Sequence, residues 1–231
     1  MNYNKAINLT ALRCASSGKI MAALAIKWKQ IILNINDELD EVITESREKF
    51  FPMNLPENIT ARCVGSKELF DVYNKHINEI FPSGSFDNEL INEGLRARAE
   101  KRSPLKKRHQ LLHFEHILFF NELNAPIGWM FGESQDQSTF YMRNTAFLKE
   151  YQNKGIYTAF LKELLEYIKY IGYEKVVSHH LGTNKAVLIP KLKLGFDICG
   201  LELHETIGAN VKLVHMLHED RKSVYHHKYG K

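Results

Sequence analysis

The sequence predicts a mixed α/β (α+β) fold. Short apolar and aromatic runs with strand-like alternation recur between residues 59 and 218. Between them lie stretches with apolar residues at helical spacing, the clearest over Tyr157–Ile171. No internal repeat appears, so the elements belong to one sheet-and-helix unit. Their order is strand, two helices, three strands, helix, strand, helix, two strands.

Residues 1–54 read as a separate N-terminal helical extension. From Ser17 to Phe51 there is no proline, and Ile20, Leu24, Trp28, Ile31, Ile32, Ile35, Leu39 and Val42 recur at helical intervals. One long helix or two fits this pattern, with the apolar face serving as a packing element or a homodimer contact. The short apolar run Ile20–Ile26 has no cleavage pattern after it and is broken by Lys27 and Lys29. No run approaches the roughly 20 apolar residues of a membrane span. Pro52 and Pro56 mark a boundary, so the main domain is expected over 55–220, with a polar tail at 221–231.

Ile59–Val64 is predicted as the first strand, and Ser66 as the N-cap of a helix carrying Leu69, Phe70, Tyr73, His76, Ile77 and Ile80. Pro82–Ser85 ends that helix, and a second is expected over 87–103. Arg96, Arg98, Lys101, Arg102, Lys106, Lys107 and Arg108 form the most basic stretch. Glu93 and Glu100 dilute it and no aromatic residues interleave for base stacking, so a solvated face is favoured over a nucleic-acid surface. His116–Asn121 and Pro126–Phe131, joined by Glu122-Leu123-Asn124-Ala125, read as a hairpin with Tyr141–Leu148 as a third antiparallel neighbour.

After that strand Glu150, Gln152, Asn153, Lys154 and Gly155 break the apolar pattern, and Tyr157 opens a helix that Gly172 closes. A strand-turn-helix joint gathers unpaired N–H groups at a helix N-terminus, and Lys154 adds a full positive charge, which makes a site for phosphate. Strand Lys175–Leu181, a short helix over 184–194, and strands Phe196–Leu203 and Val211–His218 complete the pattern.

Composition bounds the function. The net charge of +4 is mildly basic and suits an anionic nucleotide ligand. Three cysteines, Cys14, Cys63 and Cys199, stand far apart without CxxC spacing, which points to a reducing cytoplasm and away from disulfides or a zinc knuckle. His113-Phe114-Glu115-His116 holds metal-ligand types, but it precedes a strand instead of lying on a helix, and no metal is expected. GxSxG, P-loop and GxGxxG signatures are absent.

Two patches give the chain a resemblance to the GCN5-related N-acetyltransferase (GNAT) superfamily. Gln152-Asn153-Lys154-Gly155-Ile156-Tyr157 is similar to the family's pyrophosphate motif. Asn184 precedes Gly195 by 11 positions (195 − 184), and Lys193-Leu194-Gly195-Phe196 reads like the family's KLGF ending. The resemblance covers about residues 58–218. It implies a mostly antiparallel twisted sheet of six to seven strands flanked by helices. It also implies acetyl-CoA as co-substrate, no metal, and direct transfer of the acetyl group to a small-molecule or protein amine.

By the same resemblance the main chain of Phe147, Leu148 and Lys149 would pair with the pantetheine arm. The N–H groups of Gln152, Asn153, Lys154, Gly155, Ile156, Tyr157 and Thr158 would cradle the pyrophosphate, and Asn184 would contact the cofactor arm. His179 stands where some protein-acetylating members place a glutamate base; it is either that base or a polar strand residue. Lys191, seven positions after Asn184 (191 − 184), stands where many members have a tyrosine that protonates the thiolate. Tyr157 departs from the motif's small residue, and Pro190 interrupts the short helix. The alternative is a catalytically weak acyl-CoA-binding or protein-interaction module on the same fold.

Overall fold

The computed structural model describes residues 26–27, 37–81, 86–204 and 208–229, without the side chains of 86–90. The chain divides into two compact units, Met1–Glu45 and Ser46–Lys231. Helix α1 runs over residues 37–50; most of the longer helical segment expected upstream lies outside the described residues. The second unit begins at Ser46, ahead of the expected start at 55, because Phe50, Phe51 and a short strand, β1 (Met53–Leu55), join its core. Three residues are too few to show a period, which hid this strand in the sequence.

Among the described residues, eight strands form one sheet in the order β1-β2-β3-β4-β5-β6-β8-β7. They are β1, β2 (Ile59–Cys63), β3 (Phe114–Phe120), β4 (Pro126–Asp136), β5 (Thr139–Phe147), β6 (Lys175–Leu181), β7 (Asp197–His204) and β8 (Gly208–Met216). The helices are α2 (Ser66–Ile80), α3 (Phe86–Ala97), α4 (Ala99–His109), α5 (Ile156–Ile171), α6 (Lys185–Lys193) and α7 (Glu219–Tyr229). The basic stretch is thus mostly helix α4, and α7 occupies the segment read as a tail. Gly65, not Ser66, is the N-cap of α2. None of the helices is long and apolar enough to cross a membrane among the described residues.

Alternation along the strands feeds two apolar layers. On one face Phe119, Met130, Phe140, Phe147 and Val176 pack against Ile156, Phe160, Leu164, Tyr167 and Ile168 of α5. On the other, Leu118, Phe120 and Trp129 pack under Leu69, Tyr73 and Ile77 of α2.

All strand pairs are antiparallel except β5–β6. That parallel pair holds over only Thr139↔Lys175, Phe140↔Val176 and Tyr141↔Val177. Beyond it β5 stays with β4 to Phe147 while β6 stays with β8 to Leu181. A bulge between Phe131 and Gly132 bends β5 at Arg143, and the two strands splay.

One buried charge ties Arg47, at the end of α1 that belongs to the second unit, to the sheet. The Glu115 carboxylate is 0% exposed; its Oε1 accepts from Tyr167 at 2.5 Å and His113 Nε2 at 2.7 Å, and its Oε2 from Arg47 Nη2 at 3.0 Å. Burial alone would raise its pKa, but His113, Arg47 and Tyr167 outweigh it and hold the group below the usual carboxylate range. Removing one partner of such a cluster leaves buried groups uncompensated. We expect Glu115→Ala to lose about 3–5 kcal/mol of stability in urea unfolding; a loss under about 1 kcal/mol would show that the cluster is not a pin.

Candidate functional site

The splay opens onto a cleft of about 410 Å³. Phe147, Gln152, Asn153, Lys154, Gly155, Ile156, Tyr157, Thr158 and Asn184 line it, with Ile80 and Phe81 from the end of α2. Nine of the eleven residues expected to hold the cofactor therefore meet in one place, and the other two, Leu148 and Lys149, adjoin it in sequence.

The turn into α5 is built for an anion. Asn153 (φ 60°) and Gly155 (φ 78°) are both left-handed, a conformation that asparagine and glycine tolerate. Gly155 is the N-cap, no side chain caps the helix, and its first turn carries no acidic residue. The leading N–H groups are left for a ligand, with the helix dipole behind them. A Cβ at Gly155 would meet nothing within 4 Å, so the approach is open. Lys154 pairs with Glu57 at 3.6 Å on the surface, an exposed contact of little weight.

The edge of β5 corrects one expectation. The Leu148 N–H donates to the Ile127 carbonyl at 2.8 Å, so it belongs to the sheet and cannot also serve an arm lying in the splay. Alternation then turns the N–H and C=O groups of Thr145 and Phe147 the other way, toward β6. The Phe147 carbonyl accepts from Gln152 Nε2 at 2.8 Å, and its amide and that of Thr145 are the donors on this edge. Lys149 is in a short 3₁₀ turn, Lys149–Tyr151. Thr145 also lines the cleft, and the sequence reading missed it. One step of two back from Phe147 along the strand would have found it.

Helix α6 closes the other side. Asn184 is its N-cap and makes no capping bond with its side chain, so its amide stays with the cleft. Pro190 withholds the N–H that would have bonded to the Ala186 carbonyl, and both residues line the cleft. Tyr151 and Tyr157 line it as well. The Tyr151 hydroxyl accepts from Asn121 at 3.1 Å, whereas burial pushes the Tyr157 hydroxyl's pKa up.

The two residues expected to do chemistry lie on opposite faces of β6, just past the last β5–β6 pair. Lys191 is 0% exposed and sits at the apex of the splay, where Nζ donates to Ser178 Oγ at 2.7 Å and approaches Met142 Sδ at 3.5 Å. Met142 and Ser178 are the first residues of the two strands beyond their mutual pairing. Burial lowers the Lys191 pKa to about 7, and Ser178 bonds onward to His180 Nε2 at 3.0 Å. His180 falls to about 3 through burial and the neighbouring Lys191. His179 faces the other way, with its ring 5.3 Å from Tyr141 and Nδ1 3.1 Å from Glu202 Oε2; its Nε2 is buried without a hydrogen-bond partner. Burial lowers its pKa, and Glu202 opposes that shift. Among the described residues no cluster of three His, Cys, Asp or Glu could hold a metal.

No protein-family model matches the sequence, and no curated protein matches it. Solved structures do. Ard1 from Thermoplasma volcanium has a TM-score of 0.50 at 13% identity, covering 70% of this chain and 99% of its own. The fold is that of the GNAT acetyltransferases. Other similar structures are a ribosomal-protein-S5-alanine acetyltransferase from Vibrio fischeri (TM-score 0.49, 15% identity, 70% and 94% covered) and a GNAT family acetyltransferase from Elizabethkingia anophelis (0.45, 20%, 69% and 99%). At these identities the likeness is one of fold. Within this GNAT fold β1 is an eighth strand beyond the six to seven expected.

The buried lysine has a signature in stability. Its folded pKa of about 7 lies below the unfolded value of 10.5, so between those pH values the unfolded chain holds the extra proton. The Lys191 contribution therefore improves as pH rises through that window. We expect the stability of Lys191→Met minus that of wild type to shrink by up to about 5 kcal/mol from pH 7 to 10.5; a pH-independent difference would mean that Lys191 stays charged.

Proposed function

We propose that the chain is an acetyl-CoA-dependent N-acyltransferase acting on a small-molecule or protein amine by direct transfer in a ternary complex. The observation that carries this reading is the splay of β5 and β6 beside the uncapped N-terminus of α5, lining one cleft. Residues 153–158 offer the pyrophosphate its backbone donors, and the Thr145 and Phe147 amides face the pantetheine arm. The thioester end then lies toward the apex, between His179 and Lys191.

In the chemical step the amine nitrogen bonds to the acetyl carbon and the carbon–sulfur bond breaks. Nε2 of His179 takes the proton from the amine. Lys191, with a pKa near 7, returns a proton toward the thiolate through the Ser178 hydroxyl. The reaction is set in a reducing cytoplasm, in keeping with the unpaired Cys63 and Cys199. Residues 1–54 act as an extension to the catalytic domain and supply a homodimer contact; neither membrane nor nucleic acid takes part.

The sealed position of Lys191 favours a second reading, a module that holds acyl-CoA without turnover. Thiol release from acetyl-CoA across a panel of amines separates the two: turnover with any amine supports transfer, and tight binding without turnover supports the module. Gly155→Asp keeps a residue that tolerates the left-handed backbone and puts a carboxylate at the anion site. We expect it to weaken acetyl-CoA binding by at least about 100-fold in calorimetry. Unchanged affinity would remove the pyrophosphate from this turn.

A further inference from the structure

We propose that Glu202 on β7 is a positioning residue that fixes the tautomer and aim of His179, an inference that rests on the acyl-transfer reading for its catalytic consequence. Three observations support it. His179 Nδ1 lies 3.1 Å from Glu202 Oε2, a distance at which Nδ1–H donates to the carboxylate. That bond commits the proton to Nδ1 and leaves the lone pair on Nε2. Nε2 is buried and has no hydrogen-bond partner, so a buried acceptor is held without a donor.

Topology gives the lone pair its direction. The sheet runs β5-β6-β8-β7, so Glu202 reaches the ring across β8 from two strands away. With Nδ1 turned to that side, Nε2 on the far side of the ring faces β5. There Tyr141 makes the last rung before the splay. An incoming ammonium that has lost its proton, or a water between, supplies the donor that Nε2 lacks. The polar groups around the ring are Glu202 and His204 from β7, Lys212 from β8, and Tyr141 with Glu133 and Arg143 beyond it. Among these Glu202 raises the imidazole pKa while Lys212 and His204 lower it. Glu202 thus also offsets part of the lowering of the imidazole's pKa by burial.

The test uses the full chain and two variants at an exposed position of the edge strand, where neither disturbs the core. Long-range proton–nitrogen NMR, with His179→Gln identifying the signal, reads the His179 tautomer. Wild type is expected to show Nδ1–H, Glu202→Ala to shift to Nε2–H, and Glu202→Gln to keep Nδ1–H because its amide oxygen still accepts. In amine-dependent thiol release, Glu202→Ala should lower kcat about tenfold or more with KM for acetyl-CoA unchanged, and Glu202→Gln should recover part of it. An unchanged tautomer in Glu202→Ala overturns the proposal. A wild type with the expected tautomer but no turnover upholds the pair and instead overturns the acyl-transfer reading.

Discussion

The cleft depends on one constraint: β5 and β6 can hydrogen-bond to each other for only three residue pairs. Each strand has a second partner with a stronger hold on it. β4 carries β5 through a bulge at Arg143, and β8 keeps β6 in register along its full length. The parallel pair must therefore open, and opening leaves strand-edge amides at Thr145 and Phe147 with no neighbouring strand. Such groups need partners, and an extended ligand arm is a substitute for the missing strand.

The same opening explains the buried lysine. A splay leaves a gap at its apex, and Lys191 fills it from α6, bridging Met142 and Ser178 while its Nζ lies 4.6 Å from the centre of the Phe196 ring. Desolvation there favours the neutral amine, so packing and proton affinity are set by one side chain. His179, one residue beyond Ser178, lies on the opposite face and titrates under different neighbours. The two ends of a proton path are thus separated by a single strand. The strand alternation that sends Ser178 to one side and His179 to the other enforces that separation.

Much of this was readable from residues. The spacing of Tyr157, Phe160, Leu161, Leu164 and Ile168 defined α5 to within one residue of its start, because an amphipathic helix advertises its buried face. Strand β6 was predicted with its observed bounds, Lys175–Leu181. The turn at Asn153 and Gly155 was legible because left-handed backbone restricts residue type. What stayed hidden depends on pairing. Strand β1 is too short to show a period. The commitment of Leu148 to Ile127 follows from which residues of β4 and β5 face each other, and a bulge resets that register. Glu202 reaches His179 only because β8 inserts between β6 and β7, an order that no local signal encodes.

The measurement that bears most directly on the central claim is an amide-resolved NMR titration with acetyl-CoA. If the splay and the α5 turn form one site, the amides of Thr145, Phe147 and residues 153–158 shift together, with the same midpoint, while Leu148 stays tied to Ile127 and resists exchange. Shifts confined to the α5 turn, with Thr145 and Phe147 unmoved, would contradict the claim that the opened strand edge receives the ligand.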